Sequence, residues 1–169
     1  RETISDDTHG VVYEFAPEME PVRTVEPNTS LTFETRDSLE GTIQSDDDLL
    51  EEIPEEVNAA TGPVAVEGAD PGDVLRVEIE DVRLAEDRGR VVTTPGFGLM
   101  QDDEDVEAPF TRITPIEDGE NYEDGRPRVR YGEQEIPADP CVGTIGVAPA
   151  AESYTTLVPH DHGGNLDTN

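Results

Sequence analysis

The sequence contains no lysine. Its eleven basic side chains are all arginine and stand against 41 Asp and Glu, a formal net charge of −30 over 169 residues. That balance excludes nucleic acid as a partner, because phosphate contacts need a basic footprint, and it excludes an anionic membrane surface for the same reason. Long apolar runs are missing too. Nothing approaches the ~20 residues of a membrane span, and the chain does not open on the basic start and apolar core of a signal peptide. A cytoplasmic protein is expected. The single cysteine, Cys141, forbids an internal disulfide, in keeping with that compartment. With no His or basic residue near it in sequence to activate it, Cys141 is read as an inert thiol rather than a nucleophile for amides. Helix signals are scarce. The one candidate is "DDDLLEEIPEEV" (46–57), where Leu49, Leu50 and Ile53 would share a face before Pro54 breaks it, so one or two turns are expected.

What the sequence does have is alternation. In "GDVLRVEIEDV", Leu75, Val77 and Ile79 alternate with Arg76, Glu78 and Glu80, the period of a strand with one buried face, and "SLTFETRD" repeats it. Turn chemistry falls between such runs at 68–73, 117–127 and 138–140. A disordered acidic chain has no need of this order. The acidity is therefore assigned to the surface of a folded protein of the kind found in organisms with molar salt in the cytoplasm. Self-repulsion is screened there within about 3 Å at 1 M salt. Strands are predicted over 11–15, 22–26, 30–36, 63–67, 74–84, 90–94, 110–116, 127–131 and 142–148. Short strands punctuated by 14 Pro and 15 Gly predict a mainly-β fold, a β-sandwich or jelly roll with short helical segments. One β-rich domain over 1–169 is expected. The acidic runs 101–107 and 117–124 are read as solvated loops.

Several residues are candidates for chemistry. On an extended "FETRD", Glu34 and Arg36 share one face while Phe33, Thr35 and Asp37 share the other. Asp37 is then either an acid at the inner end of a strand or a cap for the turn that follows. Glu67 follows the run Val64-Ala65-Val66 and either faces a site or belongs to hairpin scaffolding. His9 stands alone near the start. The segment "VPHDHGGNLDTN" gathers His160, His162, a Gly pair, Asn165 and Asp167, the raw material of a metal or oxyanion site.

"NAATGPVAVEGADPGDVLRVEIEDV" (58–82) resembles the signature of the acetamidase/formamidase family. Further blocks agree in order: "FETRDSLEG" (33–41), "PGFGLM" (95–100), "VGTIGVAP" (142–149) and "HGGNLDT" (162–168). The resemblance spans almost the whole chain. It implies hydrolysis of a short aliphatic amide, formamide or acetamide, by a β-rich oligomer with a bound metal. It also implies that the chain corresponds to the N-terminal part of a longer protein. Members are nearly twice this length and carry a second acid- and His-containing block after the Gly-Gly-Asn segment, which this chain lacks.

The residue chemistry suits that implication. His160 and His162, two apart, would face the same way on an extended segment, and His with Asp is an ordinary zinc set. Gly163 and Gly164 let backbone approach a small ligand and offer N–H groups to an oxyanion. Asn165 can donate to a carbonyl oxygen, and Asp167 could ligate a metal or orient its water. The expectation is an amidohydrolase in which His162 and Asp167 hold zinc or calcium and Gly163, Gly164 and Asn165 hold the oxyanion. Glu34 or Asp37 would move the proton to ammonia. The competing expectation is a non-catalytic β-sandwich module for assembly or metal binding, inactive without a complementing C-terminal half. Either way the chain is expected to form a homo-oligomer or to associate with that half.

Overall fold

The alternating, Pro- and Gly-punctuated sequence produces many short strands and almost no helix. The computed structural model describes residues 1–166, with the backbone alone for Thr8 and His9. In chain order the strands are β1 (Glu2–Ile4), β2 (Val11–Val12), β3 (Glu14–Phe15), β4 (Arg23–Val25), β5 (Leu31–Phe33), β6 (Ala60–Thr61) and β7 (Val64–Val66). They continue as β8 (Arg88–Thr93), β9 (Phe110–Glu117), β10 (Arg128–Tyr131), β11 (Gln134–Pro137), β12 (Thr144–Gly146), β13 (Tyr154–Thr155) and β14 (Gly163–Asn165). Among the described residues, helix is confined to a single turn, α1 (Asp6–His9), and a 3-10 turn at Gly119–Asn121. The fold is mainly β, as the patterning predicts.

The residues group into two compact units. Of the described residues, the first comprises 1–41, 56–80 and 142–166. It is built of strand pairs: β1 with β5 and β4 with β7 run parallel, while β2 with β6, β3 with β13 and β12 with β14 run antiparallel. Ile4, Phe15, Val57 and Thr156 are buried in it. The second comprises 42–55 and 81–141. Its four-stranded antiparallel sheet runs in the order β11-β10-β9-β8, and Ile43, Thr94, Thr111 and Thr114 are buried there. Two polar bonds tie the 42–55 segment to that sheet: Arg90 Nε donates to the Ile43 carbonyl at 2.7 Å and Thr111 Oγ1 to the Asp48 carbonyl at 2.7 Å.

The helix predicted within 46–57 does not form. The Asp48 carboxylate instead accepts the backbone N–H groups of Gln44 and Ser45, each at 2.8 Å. An Asp that satisfies nearby backbone donors in a turn removes the incentive to wind a helix. The longest predicted strand, 74–84, is also absent as a strand. A strand exists only when a neighbour pairs with its N–H and C=O groups, and none of the described residues does so here. Val74, Leu75, Val77 and Ile79 are consequently exposed.

Each of the eleven arginines lies within ion-pair distance of at least one carboxylate. Arg36 is the most heavily engaged, meeting Asp6 at 2.9 Å, Glu40 at 2.8 Å and Asp7 at 3.5 Å.

Candidate active site

The Gly-Gly-Asn segment becomes β14 because small residues face it. In the β12–β14 ladder, Thr144 pairs with Asn165, Ile145 with Gly164 and Gly146 with Gly163. The ladder extends to Val147 N–H on the His162 carbonyl at 3.0 Å and Leu166 N–H on the Gly143 carbonyl at 2.8 Å. Both glycines have positive φ, 106° and 111°. A Cβ on Gly163 would collide with the Ile145 carbonyl oxygen, and one on Gly164 with the Val158 carbonyl oxygen. Glycine is therefore required at both positions by backbone crowding as well as by conformation. Gly146 makes room in the same way, since a Cβ there would lie 3.2 Å from Phe15 Cζ and 3.3 Å from His162 Cδ2.

A tight reversal precedes β14. His160 and Gly163 exchange both backbone hydrogen bonds, at 2.8 and 3.0 Å, leaving Asp161 and His162 at the turn. The two imidazoles lie on one side, as their spacing suggests, but a turn rather than an extended segment puts them there. Their rings stack with centroids 6.0 Å apart and 18° between planes. Tyr154 packs against both, at 4.1 Å from His160 and 5.0 Å from His162, while Phe15 lies 5.2 Å from His162. Tyr154 donates its hydroxyl to Glu152 at 3.0 Å, and that bond raises the phenol pKa. A cavity of about 550 Å³ opens beside these rings, bounded by Ala148–Glu152 on one side and Tyr154, His160, Asp161 and His162 on the other.

Two polar atoms of this segment are buried and have no hydrogen-bond partner among the described residues, His162 Nε2 and Asn165 Oδ1; His162 lines the cavity, whereas Gly163, Gly164 and Asn165 do not. Leaving such groups unsatisfied is unfavourable by roughly 1–3 kcal/mol each, so a ligand that met them would bind with that advantage. Burial, reinforced by His160 and opposed by Asp161, pushes the His162 pKa below its ordinary value. The imidazole is then neutral at neutral pH, the form that accepts a proton or ligates a metal.

The other candidates are placed as follows. β5 ends at Phe33, so the alternation that would carry Asp37 to an apolar face does not reach it. Asp37 Oδ2 accepts the N–H groups of Leu39 at 3.3 Å and Gly41 at 3.0 Å, the turn-capping arrangement. Glu34 is exposed, and its N–H donates to the Ile4 carbonyl at 3.0 Å. Neither residue lines the cavity. Gly163 N–H is already bonded to His160. Glu67 is exposed and its N–H donates to the Val25 carbonyl at 2.8 Å. Cys141 is exposed. Asp167 lies outside the described residues, as does the side chain of His9. Among the described residues no group of three His, Cys, Asp or Glu gathers to hold a metal ion.

Tyr154, Glu152 and Phe15 carry no motif that sequence reasoning could have used. Asn58 was likewise missed. It adopts a left-handed φ of 60° and its amide donates to Thr144 Oγ1 at 3.0 Å and to the Thr156 carbonyl at 2.8 Å, clamping β12 to the segment after β13.

No curated protein matches the chain. Solved structures share its fold, three of them as follows. A predicted acetamidase/formamidase from Thermoanaerobacter tengcongensis is 36% identical with a TM-score of 0.84, over 99% of this chain and 52% of that one. An acetamidase from Bacillus halodurans is 32% identical with a TM-score of 0.85, over 98% and 52%. An acetamidase from Yersinia enterocolitica is 27% identical with a TM-score of 0.80, over 97% and 51%. The chain thus spans about half the length of the solved proteins it matches. Residues 1–161 match the Acetamidase/Formamidase family. With that match covering 161 of the 169 residues and ending just before β14, the chain belongs to the acetamidase/formamidase family.

Proposed function

We propose that the site at β14 hydrolyses the carbon–nitrogen bond of a small carboxamide, formamide or acetamide, to the acid and ammonia. The observation that carries this reading is the pair of buried, unpartnered atoms on one short segment, His162 Nε2, whose residue lines the open cavity, and Asn165 Oδ1 three residues on. Family membership supplies the reaction class.

Asn165 Oδ1, an acceptor, takes the hydrogen bond of the substrate's amide N–H, and the Asn165 Nδ2 group donates to the oxyanion that forms as the carbonyl carbon becomes tetrahedral. With Gly163 N–H committed to His160, Asn165 carries more of that role than the glycine backbone. Neutral His162 takes a proton from the attacking water or ligates a metal. The proton that His162 takes from water leaves on departing ammonia, handed over directly or relayed by Glu152, which lines the cavity while Glu34 and Asp37 do not. The lone pair available on His162 suits one metal bond, and a zinc or calcium site would need Asp167 and donors beyond the described residues to be complete. Such a metal, when bound, polarises the carbonyl and lowers the pKa of its water.

The test is ammonia release from formamide and acetamide by the 169-residue chain in molar KCl, with zinc, with calcium and with a chelator. Turnover that Asn165→Ala reduces by roughly 10²–10³ in kcat supports the assignment, and turnover untouched by Asn165→Ala removes it. The shortage of metal donors among the described residues favours one second reading, a half-site that is silent until the rest of the family fold is present. A folded chain without turnover that gains it on covalent restoration of that half would establish this reading.

A further inference from the structure

We propose that residues 74–80 are a β-strand awaiting its neighbour, and that the neighbour is a strand from the half of the family fold that this chain does not match. The inference rests on family membership and not on the chemistry proposed above.

Leu75, Val77 and Ile79 alternate with Arg76, Glu78 and Glu80, the pattern of a strand with one apolar face. Yet these three apolar residues are 51%, 55% and 54% exposed, and Val74 is 94% exposed. None of the described residues pairs with this segment in a ladder. It is nevertheless held at both ends. Before it, Asp73 N–H meets the Asp70 carbonyl at 3.0 Å and Asp70 N–H meets the Asp73 carboxylate at 2.9 Å. At its far end, Glu80 accepts Ser30 Oγ at 3.0 Å and pairs with Arg1. A segment with alternating side chains, anchored at both ends and without a ladder partner among the described residues, is a template for strand addition.

The solved relatives hold about twice the length, with 52%, 52% and 51% of their chains matched, so a body large enough to cover this segment exists in the family. A second copy is the weaker occupant, because it brings another net charge of −30 against an edge flanked by Glu78 and Glu80. The expected neighbour presents apolar residues at alternate positions to meet Leu75, Val77 and Ile79.

The experiment measures amide hydrogen exchange across 74–80 in molar KCl. One sample is the 169-residue chain, and the other is this chain fused to the unmatched half of the Thermoanaerobacter tengcongensis protein. Near-unprotected exchange in the chain alone and at least hundredfold slowing in the fusion are expected, with Val77→Asp abolishing the slowing. The same Val77→Asp in the 169-residue chain should leave its thermal midpoint unchanged. Protection already present in the dilute chain, protection that grows with its concentration, a midpoint lowered by Val77→Asp, or a fusion that still exchanges freely would each overturn the proposal.

Discussion

At the scale of the residue, His162 sits between Phe15 and Tyr154 with Nε2 buried, and its lowered pKa has a consequence for stability. A histidine depressed in the folded chain takes up its proton more readily when unfolded. Stability is therefore intact above the ordinary value of 6.5 and declines as pH falls from there towards the lower folded value. Thermal midpoints at pH 7.5 and 5.5 should differ in that direction, and His162→Asn should shrink the difference. Gly164 offers a second test. Its φ of 111° and the crowding by the Val158 carbonyl predict that Gly164→Ala destabilises the chain by at least ~2 kcal/mol, measurable by urea unfolding. The segment could be singled out as a candidate because its residue types stand together: two histidines, two glycines and an asparagine. Tyr154 and Glu152 were not legible, since a tyrosine two places from a glutamate in "AESYTT" has no local signature, and only the fold of 154–162 brings it onto the imidazoles.

At the scale of the element, the strands that could be read were those with a partner in the same unit. β8 and β9 pair over six residues from Arg88↔Pro115 to Thr93↔Phe110, close to the predicted runs 90–94 and 110–116. Stretches 46–57 and 74–84 failed for opposite reasons, one because Asp48 closes a turn on itself, the other because periodicity specifies a face but not the neighbour that covers it. The strand at 30–36 was overdrawn for the first kind of reason, as Asp37 folds its own turn. Asn58 couples elements far apart in sequence, reaching both Thr144 and Thr156. Asn58→Ala removes two hydrogen bonds from part-buried partners and should lower stability by about 1–3 kcal/mol. Faster amide exchange in β12 and β14 than in β8 and β9 would locate that loss.

At the scale of the whole molecule, the acid excess dominates. Because every arginine already has a carboxylate partner, no arginine is left over to offset the remaining acids. The exposed pairs are individually worth little, so stability should follow the screening of repulsion between unpaired carboxylates. The thermal midpoint is expected to rise from 0.1 M to 3 M KCl as the screening length shortens from about 10 Å to below about 3 Å; a flat or falling midpoint would contradict this. That full pairing of the arginines also bears on the solution around the protein. With a net charge of −30, electroneutrality requires thirty monovalent counter-ions to accompany each chain. The folded chain is thus an osmotically active polyelectrolyte, and dialysis into dilute buffer disperses an ion cloud that belongs to it as surely as its hydration shell does.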